Sequence, residues 1–175
     1  MTSLTVFDQV AMHGFLSDLP ADRLRRIAVH GRPVLRHPGT RLFAEGDPAE
    51  SFWLVRSGVV ALDFAVPGRG DIRFEQITGG SVVGWSWLVP PHRCTLGAVV
   101  AQEMRAVEFR AAGVRALIGE DPDLGRELHT RFLAVVADRL AASRRRLATL
   151  YALSQPTDEE FRHAHPDMDR RDQHQ

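Results

Sequence analysis

The chain has 175 residues, 44% of them hydrophobic and 25% charged, with 22 acidic and 22 basic side chains in balance. That length holds one domain with a proper core and a short appendage, not two full domains. The balanced charge gives no global drive toward nucleic acid, a membrane surface or a strongly charged partner, so any anion site has to be local. Cys94 is the only cysteine, which rules out a disulfide and a multi-thiolate metal site within the chain. No apolar run approaches the roughly 18 residues needed to cross a bilayer. Residues 1–8 lack the basic start and apolar stretch of a signal peptide, so the expected location is cytoplasmic, with no membrane association.

In chain order, Phe7, Val10, Ala11 and Phe15 recur at helical spacing until Leu16-Ser17-Asp18-Leu19-Pro20 interrupts them, because proline suits only the first turn of a helix. A second short helix is expected from about Ala21, with Leu24, Ile27 and Ala28 on one face and Arg23, Arg25 and Arg26 turned mostly outward. Gly31 and Pro33 end it. Residues 1–32 therefore form an N-terminal helical segment.

From Pro33 the period changes to two. Strands are expected over 41–44, 51–55, 59–66, 71–77, 96–100 and 104–109, punctuated by Glu45-Gly46-Asp47-Pro48, Ser57-Gly58, Pro67-Gly68-Arg69-Gly70 and Thr78-Gly79-Gly80. Many short strands with frequent turns imply an antiparallel barrel or sandwich over 33–110, and hence a mainly β fold with flanking helices.

Helix returns over 111–154. Asp121-Pro122-Asp123 supplies an aspartate cap, a proline at the first helical position and acid near the positive helix end. In the long helix that follows, Leu133, Val136, Leu140, Ser143, Leu147 and Leu150 are spaced alternately by three and four, as in a coiled-coil seam. The expectation is a homodimer joined along Leu133, Val136, Leu140, Leu147 and Leu150, with Ser143 its weak point; packing on the β layer is the alternative. Arg144-Arg145-Arg146 reads as a solvated basic face. Residues 155–175 are polar and expected to be disordered, and His163, His165 and His174 within them do not make a metal site.

Two stretches carry chemistry. In residues 43–60, a Gly46-Asp47 turn precedes one strand and Gly58 begins the next, placing glycine where sharp corners forbid a side chain. In residues 80–95, Gly84-Trp85-Ser86-Trp87-Leu88 leads through Pro90-Pro91-His92 to Arg93-Cys94-Thr95. A tight turn into a short helix gathers backbone N–H groups at one point, and an arginine just beyond adds a fork of donors for phosphate oxygens. Arg93 is that candidate, with Ser86 and the Cys94 or Thr95 amides beside it. Trp85 and Trp87 read as packing residues, and Cys94 as a small buried residue although it adjoins the candidate anion site.

Together the two stretches resemble the cyclic nucleotide-binding domain of the catabolite-activator superfamily, over roughly Phe15 to Leu150. The resemblance implies a double-stranded antiparallel β-roll, jelly-roll-like, with N-terminal helices and a long C-terminal dimerisation helix. It implies a phosphate-binding cassette at 80–95, with Gly84, Trp85, Ser86, Arg93, Cys94 and Thr95 as ligand-binding residues. Cyclic AMP or cyclic GMP is the implied regulatory ligand, and no cofactor is required.

This sequence departs from the family pattern in two ways. The family places a glutamate after the cassette glycine to accept the ribose 2′-hydroxyl, whereas Trp85 stands there with only an N–H donor. Many bacterial relatives continue into a winged helix-turn-helix, whereas about two dozen polar residues follow Tyr151, so direct DNA binding is not expected. No nucleophile elbow, Walker loop, dinucleotide fingerprint or metalloprotease motif is present, so no catalytic residue is assigned and the protein is not expected to be an enzyme. Two functions remain: a ligand-sensing regulatory module that signals through its C-terminal helix to an unidentified protein, or a ligand-free dimeric interaction module whose cassette Trp85 closes.

Overall fold

The structure is a computed structural model and describes residues 4–154. The predicted tail at 155–175, with its three histidines, lies outside the described residues. The chain falls into two compact units, Met1–Val135 and Val136–Gln175.

In the first unit, helix α1 (Val6–Ala11) is opened by a capping box in which Thr5 and Asp8 each bind the other's backbone N–H. It stops well short of Phe15, which the helical spacing had included. Helix α2 (Ala21–Ala28) buries Leu24, Ile27 and Ala28 as expected. Strands β1 (Gly31–Arg36), β2 (Arg41–Phe43), β3 (Ser51–Val66), β4 (Gly70–Thr78), β5 (Val82–Val83) and β6 (Gly97–Arg110) follow, with a 3-10 turn at Ser86–Leu88 between the last two. Helix α3 (Ala111–Glu120) leads to helix α4 (Pro122–Ser154), whose first turn is capped by Asp121 accepting the Leu124 N–H at 3.0 Å. The sheet runs β1-β6-β3-β4, with β2 on β6 and β5 on β3, and each pairing is antiparallel. This is the expected mainly β roll with flanking helices.

Three strand boundaries differ from expectation. Strands expected at 51–55 and 59–66 are one strand, β3, because Ser57-Gly58 bends the chain without ending it. The β3–β6 register shifts on both sides of Ser57, and Gly58 sits at φ +91°, where an added Cβ would lie 2.0 Å from the Glu103 carbonyl oxygen. Glycine here permits close strand approach. Strands expected at 96–100 and 104–109 likewise merge into β6. Gly31 and Pro33, taken as helix terminators, lie in β1; an edge strand needs only one ladder and so tolerates proline.

Alternation along β3 separates two cores. Phe52 and Leu54 face the helices with Val107, Phe109, Leu124, Leu128 and Phe132, while Trp53 and Val55 face the roll interior with Val60, Leu62, Met104 and Ala106. His13 pins the α1–α2 connection to this sheet. Its Nδ1 accepts the Phe15 N–H at 3.3 Å, so Nε2 carries the proton and donates to the Val55 carbonyl at 3.1 Å.

Burial, with the Arg56 charge nearby, holds the His13 pKa below its ordinary value, against the opposing pull of its bonds to Val55 and Ser81. The folded state therefore resists the proton that the unfolded chain accepts near pH 6.5. Stability is complete above that pH and is lost as pH falls through the lower folded-state value. Urea midpoints at pH 7.5 and 5.5 are expected to differ in the wild type and to converge in His13→Gln. A wild-type midpoint unchanged between them would contradict this reading.

In the second unit, the described residues continue α4 to Ser154. Among the described residues, no helix is long and apolar enough to cross a membrane.

Candidate functional site

The cassette is held from both ends by backbone pairing. Strand β5 pairs with β3, setting Val83 opposite Trp53 and Val82 opposite Leu54. Gly84 then turns the chain at φ +83°, with the Ser51 carbonyl oxygen only 3.2 Å from where a Cβ would sit. The 3-10 turn closes with the Leu88 N–H donating to the Trp85 carbonyl at 3.0 Å. Beyond the cis Pro90-Pro91 bond and the left-handed His92, the chain pairs with the Gly46–Ala49 segment. There Ala49 N–H donates to the His92 carbonyl, Cys94 N–H to Asp47, and Gly46 N–H to Cys94, each at 2.8 Å. The two sequence stretches that carry the resemblance are thus bonded to each other.

The predicted site residues divide along this frame. Arg93 is exposed and donates one bond, Nη1 to the Gly46 carbonyl at 2.8 Å. Among the described residues it pairs with no carboxylate, so most of its donors face solvent at the end of the cassette. Thr95 is exposed beside it, and Ser86 is buried. The Cys94 amide, expected to be an anion donor, is already bound to the Asp47 carbonyl. The Cys94 thiol is buried, as expected, and burial, followed by the Asp47 charge, raises its pKa.

Trp85 is half-buried and packs against the core beneath the helices. Trp87 is fully buried, stacked on Phe52 at 4.8 Å and edge-on to Phe132 of α4 at 5.4 Å. Arg115 of α3 holds the Trp87 carbonyl at 3.1 Å. Sequence reasoning missed this link from the cassette turn to α3 and α4. The heptad spacing on α4 singles out Leu133 and not the neighbouring Phe132, and an arginine–carbonyl bond leaves no local pattern.

Beside the cassette lies a cleft of about 300 Å3, lined by Phe43, Asp47, Glu50, Trp53, Cys94 and Glu108 among others. Glu108 is neutralised by Arg32 and Arg36 at 3.1 and 2.9 Å. The cleft carries carboxylates, whereas the cassette end carries Arg93, so an anion is favoured at the latter.

A roll of antiparallel strands, a glycine-initiated turn and an arginine beyond it together define the fold. The chain belongs to the cyclic nucleotide-binding domain family, whose profile matches residues 34–121. It is 24% identical over 141 residues to the CRP-like cAMP-activated global transcriptional regulator of Mycobacterium tuberculosis, covering 81% of this chain and 61% of that protein. The chain thus spans less than two thirds of the length of that curated relative. Among solved structures, a cyclic nucleotide-binding domain from Methylobacillus flagellatus superposes with a TM-score of 0.67 at 17% identity, over 82% of this chain and 79% of that one. Thermus thermophilus catabolite activator protein superposes with a TM-score of 0.61 at 20% identity, over 78% and 62%. These similarities to solved structures establish the fold.

Proposed function

We propose that the protein is a non-enzymatic regulatory module that binds a cyclic nucleotide, or a related phosphorylated anion, at Gly84, Trp85, Ser86, Arg93 and Thr95. The observation that carries this reading is Arg93, which among the described residues pairs with no carboxylate and donates to the Gly46 carbonyl, leaving most of its guanidinium donors for an anion. The relatives support it, since the mycobacterial regulator is cAMP-activated. Trp87 offers the route outward: a ligand that shifts the 3-10 turn moves an indole packed on Phe132 of α4, provided the ligand favours one arrangement over the other.

Isothermal titration with cyclic AMP and cyclic GMP tests the site. Micromolar binding in the wild type is expected to weaken at least tenfold in Arg93→Ala, the low end for removing a charged donor. Absence of heat with either nucleotide, together with no thermal shift, would overturn the nucleotide reading. Trp85 favours a second reading, a ligand-free interaction module, because its indole packs on the core where the family has a carboxylate.

Both readings include a homodimer joined through α4. Leu133, Leu140, Leu147 and Leu150 are each more than half exposed in the single chain, an apolar row that a second copy would cover. Leu140→Asp is expected to convert a dimer to a monomer in light scattering while leaving the β-roll's circular dichroism unchanged. A dimer that survives the substitution would place the interface elsewhere.

A further inference from the structure

A second basic site lies away from the cassette. A cleft of about 270 Å3 is bounded by Gln9 of α1, Val34 and Leu35 of β1, Arg56 of β3 and Arg105 of β6. The strand register explains why two arginines meet there. Val55 lies opposite Ala106 and Ser57 opposite Arg105, so Arg56 is the extra residue of a bulge, which re-aims its side chain.

Neither arginine is well neutralised. Arg56 donates to the Gln9 side-chain oxygen at 3.0 Å, a neutral amide that orients the guanidinium without cancelling its charge. Among the described residues Arg56 has no carboxylate partner. Arg105 meets Glu103 at 3.7 Å, with both side chains about half exposed or more, a contact that screens little. The positive potential reaches His13, since the Arg56 charge is one of the causes that lower the imidazole's pKa.

We propose that this cleft is an oxyanion site that takes a phosphate-type group between Arg56 and Arg105, independent of the cassette. Two guanidinium forks supply the planar donor geometry that phosphate oxygens accept, and Gln9 holds one fork in place. The ligand class is a free phosphate or a small phosphomonoester. The exposed rim of Arg105 leaves room for the remainder of such a molecule.

The test is an NMR titration of the arginine side chains with inorganic phosphate and with pyrophosphate, at ionic strength held constant with chloride. Saturable shifts are expected at Arg56 and Arg105, with tighter binding of pyrophosphate. Affinity is expected to fall roughly tenfold in Arg56→Gln or Arg105→Gln and to vanish in the double variant. It should be unchanged in Arg93→Ala, which separates this site from the cassette. The His13 titration midpoint, set also by burial and by its bonds to Val55 and Ser81, is expected to rise as the anion offsets Arg56. Shifts at Arg56 and Arg105 that grow linearly without saturation, a phosphate-dependent rise of the His13 midpoint that survives the double variant, or loss of the Arg56 and Arg105 shifts in Arg93→Ala would each overturn the proposal. Should the double variant fail to fold, the wild-type saturation and the His13 midpoint still decide it.

Discussion

Phe52→Ala is expected to remove about 3–5 kcal/mol of stability, the range for deleting a fully buried aromatic. Phe52 is 2% exposed and stands at the centre of an aromatic cluster, stacked between Trp87 at 4.8 Å and Phe109 at 4.9 Å with Phe132 edge-on at 5.6 Å. No neighbour can collapse into the space without giving up a contact of its own, since Trp87, Phe109 and Phe132 are themselves buried. Against a total of about 5–15 kcal/mol for a typical domain, the loss is roughly a fifth or more. It should lower Tm by roughly 6–20 °C. Phe64→Ala, at a residue 36% exposed on the β3–β4 hairpin and edge-on to Phe74, is the control and should cost only about 1–2 kcal/mol. Guanidinium denaturation of the three proteins checks the ranking. A Phe52→Ala cost near that of the control would mean that the cassette turn is not anchored through this cluster.

The same cluster shows where sequence reading stops. Local signals are legible wherever a residue's role is set by its own backbone. Asp121-Pro122 starts α4, Gly70 closes the β3–β4 hairpin, and Gly84 opens the cassette turn, each as expected. Gly58 excludes a side chain, as its place between turn signals implies, but it lies within one strand rather than ending one. Chain break and close approach place the same demand on the residue, and only the position of Glu103 tells them apart. Gly31 and Pro33 carry a similar ambiguity, since a terminator of helix is also acceptable on a strand edge.

Pairings between distant elements leave no local mark. The Trp87–Phe132 contact, the bond from Arg115 to the Trp87 carbonyl, and the meeting of Arg56 with Arg105 across a bulge all depend on register. In residues 80–95 the turn at Gly84 is legible in the sequence. The engagement of the Cys94 amide by Asp47 is not, because it requires the two signature stretches to pair with each other. Heptad spacing identifies an apolar row on α4 whether or not a partner covers it, and Leu133, Leu140, Leu147 and Leu150 are exposed in the single chain.

Trp85→Glu separates the two functional readings, because it should move affinity and stability in opposite directions. An indole offers one donor and no acceptor, whereas a carboxylate can accept from a ribose 2′-hydroxyl. Such a charge-assisted bond contributes about 1.5–3 kcal/mol, so cyclic AMP or cyclic GMP should bind roughly 10- to 100-fold more tightly to the variant. Removing a half-buried indole from the core should meanwhile cost about 1–2 kcal/mol, some half to two thirds of a full aromatic burial. The gain should be absent for a 2′-deoxy cyclic nucleotide, and absent in Trp85→Ala, which opens the same space without the acceptor. If the wild type binds and only the glutamate variant gains, the cassette is a working nucleotide site with a missing ribose contact. If the wild type is silent while both variants bind, Trp85 closes the cassette, and the natural protein acts as an interaction module. Equal affinity in all three would place the ribose away from residue 85, and the ligand would have to be sought around Arg93 alone.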